Sequence, residues 1–238
     1  HLNSARIILL LVSPDFLASE YCYSIEMKRA MERHEAGEAR VIPVILRPVL
    51  WQGALFGKLQ ALPMNAEPVI SKNWHTRDDA FLAIAEGIQK AVEELQTQSL
   101  VTAKRWLDEG EARFKAKLYQ QAIAAYDCAI QLAPEYFDAY LNRSGAYYAL
   151  QEYHKAIADY DHAIQLNPNS ANLYWLRGSA YFALKEYQKA LADYNNALQI
   201  DPNDAKSYDN RGSVYFALKE YQKGIADYAY AIQLTPTN

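Results

Sequence analysis

The second half of the chain repeats one pattern at a fixed interval. Prolines recur at Pro134, Pro168, Pro202 and Pro236, 34 residues apart each time. Tyr126, Tyr160, Tyr194 and Tyr228 keep the same interval, as do Ala129, Ala163, Ala197 and Ala231. A further column is small throughout: Ala122, Ala156, Ala190 and Gly224. A fixed period of this length means one supersecondary unit stacked on copies of itself, each burying its apolar face against its neighbours.

Within a unit the apolar spacing is helical. In the third, Tyr174, Gly178, Tyr181 and Phe182 share one face of a first helix, and Ala190, Tyr194, Ala197 and Leu198 share one face of a second. Gly178 and Ala190 are small where the two helices must cross closely. Each proline ends a second helix, because it cannot continue one, and Asn169–Ser170 and Asn203–Asp204 then offer N-cap side chains. Helix–turn–helix at 34 residues, with these columns agreeing over Ala171–Asp204, resembles the tetratricopeptide repeat (TPR). The resemblance implies a four-unit α-solenoid with units 103–136, 137–170, 171–204 and 205–238. It also implies a concave groove lined by the column Phe114, Tyr148, Phe182 and Phe216, which takes a protein or peptide partner. For that column, groove lining and packing are both open. Arg113 stands in the tyrosine column of the first unit, so its first helix is expected to act as a cap or joint. No polar capping helix follows the fourth unit, so the protein is expected to continue past Asn238.

TPR domains that clamp a terminal carboxylate use Lys, Arg and Asn on their first helices. This chain has Asn142 and Asn210 there, but Leu141 and Trp175 where lysines would stand, which disfavours that ligand.

Ahead of the repeats the pattern changes. Ile7–Val12 is a continuous aliphatic run, expected to be a parallel strand covered on both faces. A helix is expected from about Ser19 to Glu35, closed by Gly37, with Arg33 and His34 in the last turn where the helix dipole favours cations. Val41–Leu46 reads as a second buried strand, in which Pro43 belongs at the start or near a sheet edge. Pro68–Ile70 reads as a short strand, and Asp78 to about Leu95 as an amphipathic helix. This order describes part of a doubly wound α/β domain. Residues 96–102, without Gly or Pro, form a stiff joint to the array. The expected fold is therefore α/β followed by all-α.

Two stretches go beyond generic α/β. These are Leu11–Cys22 with Glu26 and Met27, and Val41–Pro48 with Trp51, followed by Leu59–Pro63. Together they resemble the carboxy-terminal part of bacterial Toll/interleukin receptor (TIR) domains, over residues 1–95. The resemblance implies a flavodoxin-like sheet of order 2-1-3-4-5 whose first two strands are missing here, leaving Ile7–Val12 with a bare edge. It further implies NAD cleavage at the nicotinamide–ribose bond in a complete domain. Glu26 would be the catalytic carboxylate stabilising the ribose cation, and Ser13, Phe16, Ser19, Tyr21 and Cys22 would line the pocket. TIR–TIR self-association and a cytoplasmic signalling or defence role go with it; this partial domain is expected to be inactive. The rival expectation is a non-enzymatic scaffold in which both parts only mediate assembly.

Plainer alternatives stand beside these assignments. Glu26 could be a solvated helix carboxylate with Arg29 at i+3. Cys22 fits a buried thiol better than a nucleophile, because no basic partner is placed to activate it. Trp51 and Trp74 fit packing better than a pocket mouth. His1, His34, His75, His154 and His162 show no ligand spacing, so neither a metal nor a cofactor is expected. The net charge of −4 is split evenly between residues 1–102 and 103–238, which argues against nucleic acid or an anionic membrane as partner. Cys22 and Cys128 fall in different domains, as in a reducing compartment.

Overall fold

The computed structural model describes residues 7–12, 25–45, 59, 61, 62, 68, 69, 71 and 76–235. It divides into two compact units, 1–98 and 99–238. The first holds β1 (Ile7–Val12), α1 (Ile25–Glu35), β2 (Arg40–Ile45) and the start of α2 (Arg77–Lys115).

β1 and β2 pair in parallel, with Ile7 opposite Arg40 and Val12 opposite Ile45. One face of the pair presents Ile8, Leu10, Val12, Val41 and Ile45 to Met27, Ala30 and Met31 of α1. On the other face, Ile42 and Val44 pack with Ala80, Ile84 and Ala91 of α2. That second layer takes in Ile7 of β1 but leaves Leu9 and Leu11 43% and 55% exposed. Among the described residues, the strand expected to be covered on both faces is covered beyond Ile7 on one. Pro43 sits mid-strand rather than at its start. Its backbone faces Leu62, whose N–H donates to the Pro43 carbonyl while Ile45 N–H donates to Leu62 O, so no ladder bond needs the proton that proline lacks. Among the described residues the sheet has two strands, extended by an isolated parallel bridge from Val44 to Leu62. Of the strand expected at Pro68–Ile70, the described residues Pro68 and Val69 are not in a strand: Val69 lies in a bend, held by its N–H to Ile45 O, and Ile70 lies outside the described residues.

Local chemistry sets the helix ends. Thr76 and Asp79 form a reciprocal capping box at the start of α2: each side chain accepts the other's backbone N–H, at 3.2 and 2.8 Å. Gly37, at φ +74°, closes α1, with Glu38 N–H donating to Arg33 O and Gly37 N–H to His34 O. With no Gly or Pro to stop it, α2 runs on through 96–102 to Lys115.

The second unit continues with α3 (Tyr119–Leu132), α4 (Phe137–Ala149), α5 (Tyr153–Leu166), α6 (Ala171–Ala183), α7 (Tyr187–Ile200), α8 (Ala205–Ala217) and α9 (Tyr221–Leu234). Each first helix ends on a residue in the left-handed region: Lys117, Gln151, Lys185 and Lys219, with φ of 60–64°. None is glycine. The conformation costs a side chain about 1–2 kcal/mol, and two backbone bonds offset it at every turn, as where Glu186 N–H donates to Tyr181 O and Lys185 N–H to Phe182 O. Asp204 caps α8 by accepting from Lys206 and Ser207 N–H, whereas Ser170 precedes α6 without a side-chain cap bond.

The array core is the tyrosine column under the small residues. Tyr126, Tyr160 and Tyr194 are each 1% exposed. A Cβ on Gly178 would lie 2.9 Å from the Tyr194 ring, which explains glycine there. Burial pushes the Tyr126 and Tyr194 phenols up to about 12 and raises Tyr160 as well.

Candidate functional site, a groove across the first helices

A cavity of about 370 Å³ opens along the first helices of consecutive hairpins. Its walls are Gly145 and Tyr148 of α4, Trp175, Ser179 and Phe182 of α6, and Asn210 and Ser213 of α8, with Tyr160 and Tyr194 beneath. Gly145, Ser179 and Ser213 occupy one column of the repeat, and their small side chains open the space. The Ser179 hydroxyl donates to Trp175 O at 2.8 Å and takes hydrogen bonds from Tyr194 OH at 3.2 Å and Asn210 Nδ2 at 3.3 Å. Ser213 Oγ meets Tyr228 OH at 2.9 Å one repeat later. Above this floor Lys206 Nζ lies 5.6 Å from the Trp175 ring centroid. The Trp175 indole N–H is buried without a hydrogen-bond partner. The site is thus an aromatic trough with hydroxyl and amide groups at fixed points. Such a surface receives an apolar side chain.

Of the aromatic column, Tyr148 and Phe182 line this cavity and Phe114 and Phe216 do not. All four rings meet the tyrosine that opens the next helix: Phe114 with Tyr119, Tyr148 with Tyr153, Phe182 with Tyr187 and Phe216 with Tyr221, at 5.2–5.8 Å between centroids. Asn142 donates to Glu111 at 3.1 Å, so both groove asparagines are already engaged within the array.

What holds consecutive hairpins together escaped the sequence reading. Arg177 of α6 forms a fork on Asp193 of its own hairpin, Nε to Oδ2 at 2.9 Å and Nη2 to Oδ1 at 2.7 Å. Its Nη1 reaches Asp161 of the preceding hairpin at 2.6 Å. Arg143 does the same with Asp159 and Asp127, and Arg211 with Asp227 and Asn195. The arginines also lie over Tyr140, Tyr174 and Tyr208, at 5.2–5.6 Å from the ring centroids. The hydrogen bond to Asp193 leads in pushing the Arg177 guanidinium above its ordinary value, while burial pushes the Asp193 carboxyl up against the pull of Arg177. The signal was present as charges at the 34-residue period, a regularity that a solvated face has no reason to keep.

In the first unit Glu26 falls in α1; its side chain, and Ser13, Phe16, Ser19, Tyr21, Cys22, Trp51 and Trp74, lie outside the described residues. A cavity of about 220 Å³ does form there, at the other end of α1, between His34, Arg40, Leu62, Lys90 and Glu94. His34 Nδ1 accepts Val41 N–H at 3.1 Å, and Arg40 pairs with Glu94. Among the described residues no group of His, Cys, Asp and Glu is placed to hold a metal, and no helix is long and apolar enough to cross a membrane.

Family models described as TPR repeat and tetratricopeptide repeat match residues 145–185, 178–219 and 205–238. The crystal structure of MamA protein is similar to this chain at 26% identity and a TM-score of 0.54, over 57% of this chain and 74% of that one. MamA from Desulfovibrio magneticus RS-1 shares the fold at 20% identity and a TM-score of 0.54, over 56% and 75%. A curated relative, uncharacterized protein y4lF of Sinorhizobium fredii (strain NBRC 101917 / NGR234), is 55% identical over 91 residues, 38% of this chain and 28% of that protein. The match therefore spans under a third of that relative's length. With hairpins of this period and models that match residues 145–238, the helical part of this chain is a tetratricopeptide-repeat solenoid.

Proposed function

We propose that this chain is an interaction scaffold whose repeat groove holds a segment of a protein partner. The observation that carries this is the trough between α4, α6 and α8, lined by Tyr148, Trp175 and Phe182 beside the Ser179–Asn210 network. Trp175 is the expected anchor, since large aromatics in partly enclosed pockets dominate such interfaces. The test is to select peptides from a random library on the 238-residue chain. Selected peptides are expected to share an apolar residue and to weaken at least about tenfold on Trp175→Ala. Circular dichroism of that variant should match the parent. Peptides indifferent to Trp175→Ala would place recognition elsewhere.

A second, enzymatic reading concerns the first unit. Its support is the resemblance of Leu11–Met27, Val41–Pro48 and Leu59–Pro63 to TIR domains, together with a parallel β1–β2 pair joined through a helix. On that reading Glu26 steadies the cation left when nicotinamide departs from NAD, and neighbouring copies complete the pocket. Nicotinamide release by a domain completed with the two first strands that the resemblance implies, and lost on Glu26→Gln, is its expected mark. Absence of release from that completed domain, even when clustered on a bead, leaves the scaffold alone.

A further inference from the structure

The cavity of the first unit is lined by more positive than negative charge. It opens where α1 ends and β2 begins, the end of α1 away from Glu26, and all its walls belong to that unit. The turn between α1 and β2 is closed by Glu38 N–H and Ala39 N–H, both donating to Arg33 O, which fixes the places of His34 and Arg40 in the wall. From α2, Gly87, Lys90, Ala91 and Glu94 follow i, i+3, i+4, i+7 spacing, so one stripe of that helix completes it. Gly87 lets Leu62 lie against α2, since a Cβ there would fall 2.2 Å from Leu62 Cδ2. Leu62 and Leu59 give the cavity an apolar side.

Arg40 and Lys90 both act on Glu94, the one carboxylate among the described residues lining the cavity. Arg40 first, and Lys90 after it, hold that carboxyl below its ordinary value. One positive charge is left over. His34 adds a donor, because its Nδ1 accepts Val41 N–H at 3.1 Å and the ring proton therefore sits on Nε2. Arg40 meets Glu94 through Nη1 among the described residues, and the rest of its planar fork suits phosphate oxygens. Three donor groups exceed what the two oxygens of a carboxylate can use. At about 220 Å³ the cavity is smaller than the roughly 300–1,000 Å³ that encloses a drug-sized molecule. We propose that it binds a small phosphate monoester, with the phosphoryl oxygens on Arg40, Lys90 and His34 and the organic part on Leu59 and Leu62. The site uses neither Glu26 nor the repeat groove, so it is independent of both functional readings.

Equilibrium dialysis of the 238-residue chain with phenyl phosphate, inorganic phosphate and benzoate tests this. Phenyl phosphate is expected to bind at one molecule per chain, about tenfold tighter than inorganic phosphate, which lacks the apolar part. It should exceed benzoate by a similar factor, about tenfold, for want of the phosphoryl oxygens. Lys90→Gln should weaken binding about tenfold, as loss of a charged hydrogen bond does. Glu94→Gln should tighten it about threefold, because the carboxylate competing for Arg40 and Lys90 is gone. Both side chains are exposed, so circular dichroism should match the parent. Damage to the fold would weaken both variants, which the opposite signs exclude. Benzoate held as tightly as phenyl phosphate would overturn the phosphate assignment, and inorganic phosphate held as tightly would overturn the organic part. Absence of saturable binding, or binding that Lys90→Gln leaves unchanged or Glu94→Gln weakens, would overturn the site.

Discussion

Replacing Arg177 with Met is expected to lower the stability of the repeat array by about 3–5 kcal/mol, the range for removing one partner of a buried ion pair. The size comes from what is left behind. Asp193 is 3% exposed and loses both arms of its fork, while Asp161 loses its bridge across the hairpin junction. Met keeps most of the volume and the stem packing, so the loss reports the unpaired carboxylate rather than a cavity. The pH dependence identifies the cause. Burial already holds the Asp193 carboxyl above its ordinary value, and without Arg177 it rises further. A carboxyl raised in the folded state favours the protonated form, so the penalty is present near neutrality and shrinks as pH falls through that raised value. Urea midpoints of parent and variant across mildly acidic to neutral pH measure this. A penalty independent of pH would assign the loss to packing.

Alkaline unfolding is the second large effect. The Tyr194 phenol, pushed by burial up to about 12, ionises in the unfolded chain near its ordinary value of 10.0. Between those two values the unfolded chain holds fewer protons than the folded one, so stability is complete below pH 10 and falls as pH rises towards 12. At about 1.4 kcal/mol per unit, Tyr194 alone removes on the order of 3 kcal/mol by the upper end, and Tyr126 and Tyr160 act in the same direction. A thermal melt repeated at rising pH, with tyrosinate absorbance followed in parallel, should show ionisation and unfolding together. Tyr194→Phe loses the bond to Ser179 at every pH but should flatten the decline. Tyrosines that ionise near pH 10 with the helices intact would contradict this core.

The array was legible because its contacts are local and repeated. One column of alanines or tyrosines, such as Ala190 or Tyr194, states the same packing rule at every hairpin. The turns were not, since Lys117, Gln151, Lys185 and Lys219 carry none of the glycine that marks a left-handed residue. Backbone hydrogen bonds, invisible in composition, hold them. The arginine bridges were missed because a charge on a helix reads as solvated until a partner 16 residues away is placed beside it. In the first unit the apolar run Ile7–Val12 looked doubly buried, but burial is decided by where α2 packs, and α2 covers β2 without reaching Leu9 and Leu11. The groove was legible as a column, yet only Tyr148 and Phe182 of its four members reach the cavity, because small residues open it only along part of the array.

The acceptors of the bridging arginines grade from aspartate at 127 and 161 to asparagine at 195, which leaves the hairpins joined with unequal strength. A stacked array has no long-range contacts to average such differences, so its free energy is close to a sum over units and junctions. The chain is therefore polar in its dynamics. The junction between α7 and α8, bridged to a neutral amide, is the one expected to open most readily, so local opening is uneven along the array rather than shared equally by its hairpins.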